Sequence, residues 1–321
     1  MVRFDRADAF VAPDWVRLMI DCTLVTCETV PALDPDDRLV LAELRRRGIT
    51  VRTAVWSDPH VDWSGSKLTV LRSTWDYHRR YREFAEWIDR VSGLTTLRND
   101  ARLLHWNVHK SYLRDLELRG VPVVPTAWVR RGERRSLAVL RTTNGWRECV
   151  IKPARGVATH GVLHVRRDRA SSEAGQAHLD DLARDDDVLV QPYFEEVATY
   201  GERALIFFDG RFSHAVMKKP FDTVLAVGDA RAAAVQPTPG EIEVAAKALA
   251  AAPGPSLYGR IDLLPDARGG PHVSELELIE PALYFGASGD GLRLFADSIE
   301  HTLNVTQLLN WRPLCVRIAS H

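Results

Sequence analysis

A chain of 321 residues, 45% hydrophobic and 26% charged, is long enough for two or three domains with ample cores. Its formal net charge of −1 gives no general case for nucleic-acid or membrane binding. The four cysteines, Cys22, Cys27, Cys149 and Cys315, fit neither a zinc cluster nor a dense disulfide framework, and a cytoplasmic, reducing location is the default. Residues 1–14 read as a loose leader, too acidic and broken for a signal peptide, and no apolar run reaches the roughly 18 residues of a membrane span. "RLMIDCTLVTC" reads as a strand, "DPDDRLVLAELRRRG" as a capped helix ending at Gly48, and "ITVRTAVW" as a second strand. "KLTVLRSTWDY" is a third strand running into a loop, followed by the helical "REFAEWIDRVSG". This order predicts an α/β unit with a mostly parallel sheet ending near residue 98. Ligands bind beyond the carboxyl ends of such strands, which here carry Thr26, Cys27 and the run Arg72 to Asp76.

"NDARLLHWNVHKSYLRDLELRG" reads as linker and helix with Gly120 near its C-cap. "VPVVPTAWV", "ECVIKPA", "GVLHV" and "DVLVQPYF" are short strands around a helical segment at 173–184, a small α+β unit with little core of its own. "GERALIFFDGRFSHAVMKKP" is a hairpin turning at Asp209-Gly210. After an uncertain stretch near 221–240 come the helix "PGEIEVAAKALAAA", a second hairpin and the closing helix "GLRLFADSIEHTLNVTQLL".

The second hairpin poses the functional question. In "HVSELELIEPALYFGASGD", alternation puts Leu276 and Leu278 on one face and Glu275 and Glu277 on the other, roughly 6.6–7 Å apart. A turn near Arg268-Gly269 pairs Asp262 with Glu275 and Arg260 with Glu277, so Tyr258, Arg260, Asp262 and Leu264 share the glutamates' face. Opposed like charges destabilise a sheet by up to about 1 kcal/mol, and a cation removes that penalty. Hard oxygen ligands favour Mg²⁺ or Mn²⁺, and magnesium takes one or two carboxylates plus substrate phosphates. The alternative is a half-buried strand with a solvated acidic face. Positive charge and backbone donors for a nucleotide come from "ECVIKPARGVATHGV", where Lys152 ends a strand and Gly156 and Gly161 flank a loop. The Walker order is absent.

The order of these motifs resembles the ATP-grasp superfamily of carboxylate–amine ligases, which includes glutathione synthetase and D-alanine–D-alanine ligase, over residues 18–309. It is closest in style to the ATP-grasp proteins of D-cycloserine biosynthesis, through "LRSTWDYHRRYREFAEWIDRV", "NDARLLHWNVHKSYL" and "ELELIEPALYF". The resemblance implies an ATP-grasp fold, α/β and α+β. An N-terminal α/β substrate domain with leader would span 1–98, a linker helix and lid 99–190, and a C-terminal nucleotide- and metal-binding domain 191–321. It further implies that Lys110 and Lys152 hold phosphates under the loop of Gly156, Thr159, His160 and Gly161. Gln191, Tyr193 and Phe194 line the adenine and Glu202 takes the ribose. Lys218 and Arg260 act on the reacting phosphate, and Asp262, Glu275 and Glu277 bind the metal. Ala204 stands where glutathione synthetase has an arginine, and Glu277 where it has an asparagine ligand.

The implied reaction is ATP-dependent C–N bond formation through an acyl phosphate, on small amino-acid-like substrates, with intramolecular cyclisation in natural-product (antibiotic) biosynthesis as a variant. A phosphotransferase and a nucleotide-binding sensor or scaffold are the alternatives. Nucleic acid and membrane are excluded as partners, and a homodimer is left open. For substrate, Arg72 suits a carboxylate and Ser73, Trp75 and Asp76 an amine or a small pocket; the competing expectation puts Trp75 in the core and Asp76 at a helix cap. Tyr284 and Phe285 shape the entrance or merely turn the chain.

Overall fold

The N-terminal stretch forms the parallel sheet that its order of elements predicts. In the computed structural model, which describes residues 19–157, 160–218 and 232–315, strands β1 (Ile20–Thr26), β2 (Val51–Val55), β3 (Ser66–Ser73) and β4 (Thr96–Arg98) form a sheet in the order β2-β1-β3-β4, parallel throughout. Helix α1 (Pro35–Arg46) starts where Asp34 accepts the Asp36 N–H with Pro35 in the first turn. Helix α2 (Tyr81–Ser92) buries Phe84, Trp87, Ile88 and Val91, one stripe at helical spacing. The leader, Thr159 and the stretch 221–231 lie outside the described residues.

The predicted linker helix is two helices, α3 (Ala101–Asn107) and α4 (Tyr112–Leu118). At the break the Lys110 N–H donates to Ala154 O at 2.9 Å, which presents that lysine to the strand carrying Lys152. A second sheet, β5-β8-β6-β7, is antiparallel: β5 (Ala127–Val129), β6 (Cys149–Pro153), β7 (Leu163–Val165) and β8 (Val188–Pro192). Helices α5 (Leu137–Asn144), which the sequence pattern does not mark, and α6 (Arg169–Asp185) pack on it. Contrary to expectation this unit has a core of its own, including Leu137, Cys149, Ile151, Val165, Leu179 and Val190.

Helix α7 (Val197–Tyr200) leads into the third sheet, β11-β10-β9-β12-β13, also antiparallel: β9 (Glu202–Phe208), β10 (Arg211–Lys218), β11 (Ala233–Val235), β12 (Tyr258–Pro265) and β13 (Pro271–Glu277). The β9–β10 hairpin turns through Asp209 (φ 47°) and Gly210 (φ 74°), the left-handed pair such a turn needs. Helix α8 (Pro239–Ala250) opens with a full capping box between Thr238 and Glu241. The last helix, α9 (Gly291–Cys315), joins this sheet to the first: Phe295, Ile299 and Leu303 share one core with Leu24, Val40, Leu68, Phe208 and Tyr258. The first and third sheets are thus welded together, whereas the second keeps a core of its own and lends Leu189 and Trp128 to the core of the third. Among the described residues no helix is long and apolar enough to cross a membrane.

Strand β13 lies at a sheet edge, where unpaired backbone groups need partners. Asn107 supplies two: its amide donates to Leu276 O and its oxygen accepts from Leu278 N, both at 2.7 Å. The Tyr112 hydroxyl accepts from Leu276 N at 3.1 Å. The linker helices therefore set the carboxylate strand in place.

Candidate active site

The hairpin register is the one its turn predicts: Arg260 pairs with Glu277 and Asp262 with Glu275. The pairing then slips by one residue, from Asp262–Glu275 to Leu263–Val273. Ser274 is the extra residue of a β-bulge. Without it Val273 would share the glutamates' face; with it Val273 joins Ile261, Leu263, Leu276 and Leu278 in the core. The spacing of three between the apolar Val273 and Leu276, where a strand requires two, carries this signal. The freed Ser274 hydroxyl lies 2.9 Å from Glu202 Oε1 and 3.1 Å from Asp262 O.

Four adjacent strands carry a charged stripe. Lys218 on β10 reaches Asp262 Oδ2 at 2.6 Å and Glu202 at 3.0 Å. Arg260 grips both oxygens of Asp262 at 3.0 Å and also bonds Glu277. From the second sheet, Lys152 Nζ comes to 3.2 Å from Glu275 Oε1 and 3.4 Å from Ser274 O. From the α3–α4 turn, Lys110 Nζ lies 3.9 Å from the same glutamate and donates to Gly156 O at 3.2 Å. Lysines from different parts of the fold thus meet one acid.

This network corrects the expectation that the carboxylates are a liability in the empty protein, because each holds a cation. Burial would raise Asp262 and Glu275, but Arg260 with Lys218, and Lys110 with Lys152, outweigh it and hold both below the usual range. Glu277 behaves differently. Burial, with the charges of Asp262 and Glu275, outweighs Arg260 and raises it to about 7. Lys218 is held above its usual range by Asp262 and Glu202 against the opposing effect of its burial. Among the described residues no three acid, histidine or cysteine side chains gather where they could hold a metal ion, because these carboxylates point to lysine and arginine. The donor set is nevertheless all hard oxygen, as magnesium requires, and magnesium needs only one or two carboxylates when phosphates complete its shell. In that sense the residues fit the ion.

On the second sheet, Gln191 is buried and its amide donates to Thr126 Oγ1 at 2.8 Å. Tyr193 stacks on His164 with ring centroids 4.0 Å apart, and its N–H donates to Glu148 O. Phe194 meets His272 edge-on at 5.8 Å. Gly161 takes φ +71°, Gly156 lies beside Pro153, and the exposed His160 ring lies 5.3 Å from that of His78. The loop after β8 thus has an aromatic wall, although its Tyr193 N–H is already bonded.

The N-terminal residues separate. Arg72 is only 1% exposed; it pairs with Asp37 at 2.8 Å and donates to Pro281 O. Ser73 donates to the other Asp37 oxygen at 2.7 Å. Both brace α1 and β3 against the 281–286 loop, whose Phe285 N–H donates to Asp36, while Arg72 Nη1 is buried with no hydrogen-bond partner among the described residues. Asp76 accepts from Trp56 at 2.7 Å and pairs with Arg80, with no side-chain cap bond to the helix it precedes. Trp75 is half-buried and donates to Glu280 O. Tyr284 takes a left-handed conformation (φ 52°) under Arg260, while Phe285 is core. Tyr77 and Glu280, which the sequence patterns do not mark, lie within electrostatic reach of one another here.

Comparison places the arrangement. The D-alanine–D-alanine ligase of Bacillus anthracis, solved with ATP, shares the fold with a TM-score of 0.62 at 15% identity, over 90% of this chain and 99% of its own. The fold is that of the ATP-grasp ligases. Residues 22–99 match the family model "D-cycloserine synthetase DcsG, N-terminal domain". The cycloserine biosynthesis protein DcsG of Streptomyces lavendulae is 37% identical over 298 residues, which is 87% of this chain and 98% of that protein. The crystal structure of D-cycloserine synthetase DcsG matches with a TM-score of 0.80 at 35% identity, over 88% of this chain and 99% of its own. The chain belongs to the DcsG family of ATP-grasp proteins and is an ATP-dependent ligase.

Proposed function

We propose that this ligase activates a carboxylate of a small amino-acid-like substrate as an acyl phosphate and joins it to an amine, with both groups on one molecule in a cyclising reaction. The observation that carries the reading is the meeting of Lys110, Lys152, Lys218 and Arg260 with Asp262, Glu275 and Glu277. Phosphate oxygens of ATP would replace the carboxylates as partners of Lys110 and Lys152, with the Gly156–Gly161 loop above them. Tyr193 and Phe194 would flank the adenine, Gln191 would back it, and Glu202 would take the ribose. The freed acids Asp262, Glu275 and Glu277 would hold Mg²⁺, which when bound supplies charge neutralisation at the phosphates. Arg260 and Lys218 then face the transferred phosphoryl group, where fixed cations stabilise developing charge. No enzyme nucleophile is needed: substrate oxygen attacks phosphorus, and the amine displaces phosphate from the acyl carbon. Cyclisation is supported by the 37% identity to a cycloserine biosynthesis protein, cycloserine being a ring closed between two groups of one amino-acid derivative.

A coupled ADP-release screen tests this, comparing single molecules that carry both groups with separate carboxylate–amine pairs. The expected product of a cyclising substrate has its mass less one water, with one ADP per turnover. A phosphorylated product that never condenses would indicate a phosphotransferase. ADP release independent of every added carboxylate would overturn the ligase reading of this site.

A further inference from the structure

Ser274 sits on β13, Glu202 on β9, and β12 runs between them. Strands two places apart lie roughly 9.5 Å from each other, yet the Ser274 hydroxyl comes to 2.9 Å from Glu202 Oε1. The bulge is what allows this. The slip between Asp262 and Leu263 takes Ser274 out of the pairing, and its hydroxyl leans over β12 to 3.1 Å from Asp262 O. Bulges beside active sites re-aim side chains in this way. The hydroxyl has one proton for two acceptors, and the Glu202 carboxylate is both the nearer and the charged one. Ser274 is only 3% exposed, so the bond is shielded from water.

Glu202 is therefore held at both oxygens, Oε1 by Ser274 and Oε2 by Lys218 at 3.0 Å. The two holds differ in kind. Lys218 also pairs with Asp262, and under the function proposed above it faces the transferred phosphoryl group, so nucleotide draws it away from Glu202. Ser274 is neutral and fixed by its strand, and a phosphate has no such pull on it. A carboxylate oxygen has two lone pairs, so Oε1 can keep Ser274 while accepting a second hydroxyl. The Ser274 carbonyl serves the phosphate side separately, with Lys152 Nζ 3.4 Å away. A substitution that removes only the hydroxyl thus separates the two contributions.

We propose that Ser274 is a positioning residue that aims Glu202 at the ribose hydroxyls of the nucleotide, and so sets the preference for a ribonucleotide over its deoxy forms. The inference rests on the ligase reading above, in which Glu202 takes the ribose. Ser274 acts through Glu202 and needs no contact with the nucleotide itself.

The test uses ADP, 2′-deoxy-ADP, 3′-deoxy-ADP and inorganic tripolyphosphate, each titrated into the full chain by calorimetry with Mg²⁺. The wild-type protein is expected to bind ADP about tenfold more tightly than at least one deoxy form, the size of one hydrogen bond to a charged group. Ser274→Ala should lose about threefold to tenfold of that preference. Its tripolyphosphate affinity should stay put, because the carbonyl toward Lys152 remains. Ser274→Thr keeps a hydroxyl and should restore the preference. Ser274→Cys, with only a weak donor, should lose most of it and decides the matter if Ser274→Ala does not fold. Wild-type protein with equal affinity for the three nucleotides, or a Ser274→Ala protein that keeps the preference, overturns the inference. So does a loss shared equally by tripolyphosphate, the mark of a merely structural role. Failure of the wild-type protein to bind either ADP or tripolyphosphate would instead sink the ligase reading of the site.

Discussion

Arg72 with Asp37, and the acids of β12 and β13 with their lysines, are built from the same kinds of ion pair, yet they differ in what surrounds them. The Arg72 and Asp37 side chains are 1% and 5% exposed, and Arg72 also lies over the rings of Tyr258 and Phe295 at 5.0 and 5.6 Å. The pair sits at the joint between the first and third sheets. Glu275 and Glu277 keep 23% and 27% of their side-chain surface, and their cations arrive from several separate elements. Under the proposed function such pairs would be exchanged for phosphate oxygens. Ion pairing alone therefore does not separate the two regions; exposure and the number of elements that supply the cations do.

The largest expected effect breaks the closed pair. Arg72→Met leaves Asp37 buried without its cation, and loss of one partner of a buried pair costs about 3–5 kcal/mol. Urea titration should show this loss, while the folded fraction binds AMPPNP with wild-type affinity. Unchanged stability with lost turnover would return Arg72 to the substrate site. The open cluster should respond in the opposite way. Glu275→Gln is expected to cut ADP formation by about a hundredfold to a thousandfold, the scale of losing one electrostatic stabiliser. Its stability should fall by no more than about 1 kcal/mol, because the pair with Lys152 is partly exposed and screened. An active Glu275→Gln enzyme would remove that acid from the metal set. The smallest effect sharpens the comparison at the cations. Lys152→Ala and Lys110→Ala should each weaken AMPPNP binding by about tenfold, roughly 1.4 kcal/mol, as measured by calorimetry with melting used to confirm the fold. Wild-type affinity in both would place the phosphates elsewhere.

Much of this site is legible in the amino-acid sequence, and the gaps have identifiable causes. The pairing of Asp262 with Glu275 follows from a turn and two alternating strands that are close neighbours in the chain. Motif order marks Lys110 and Lys152, but not their meeting at Glu275, since 165 and 123 residues separate them from it. The pairing of Arg72 with Asp37 escapes the pattern because a strand-end arginine looks the same whether it faces a ligand or a neighbouring element. The core of the second sheet is hidden because α5 is: "SLAVLRTTN" is too short and too rich in β-branched residues to declare a helix by pattern.

By itself, the sequence determined what local physics decides: helix caps at Asp34 and Thr238, the Asp209-Gly210 turn, strand alternation and the register of β12 on β13. Each follows from hydrogen bonds or steric limits a few residues across. Tertiary structure alone decided the break that turns Lys110 inward and the capture of Arg72 by Asp37. Those outcomes depend on which distant segment buries a given polar group. Arg72 meets Pro281 across 209 residues of chain and Asn107 meets Leu276 across 169. A buried donor or acceptor takes whatever partner packing brings within reach, and no local pattern encodes that choice.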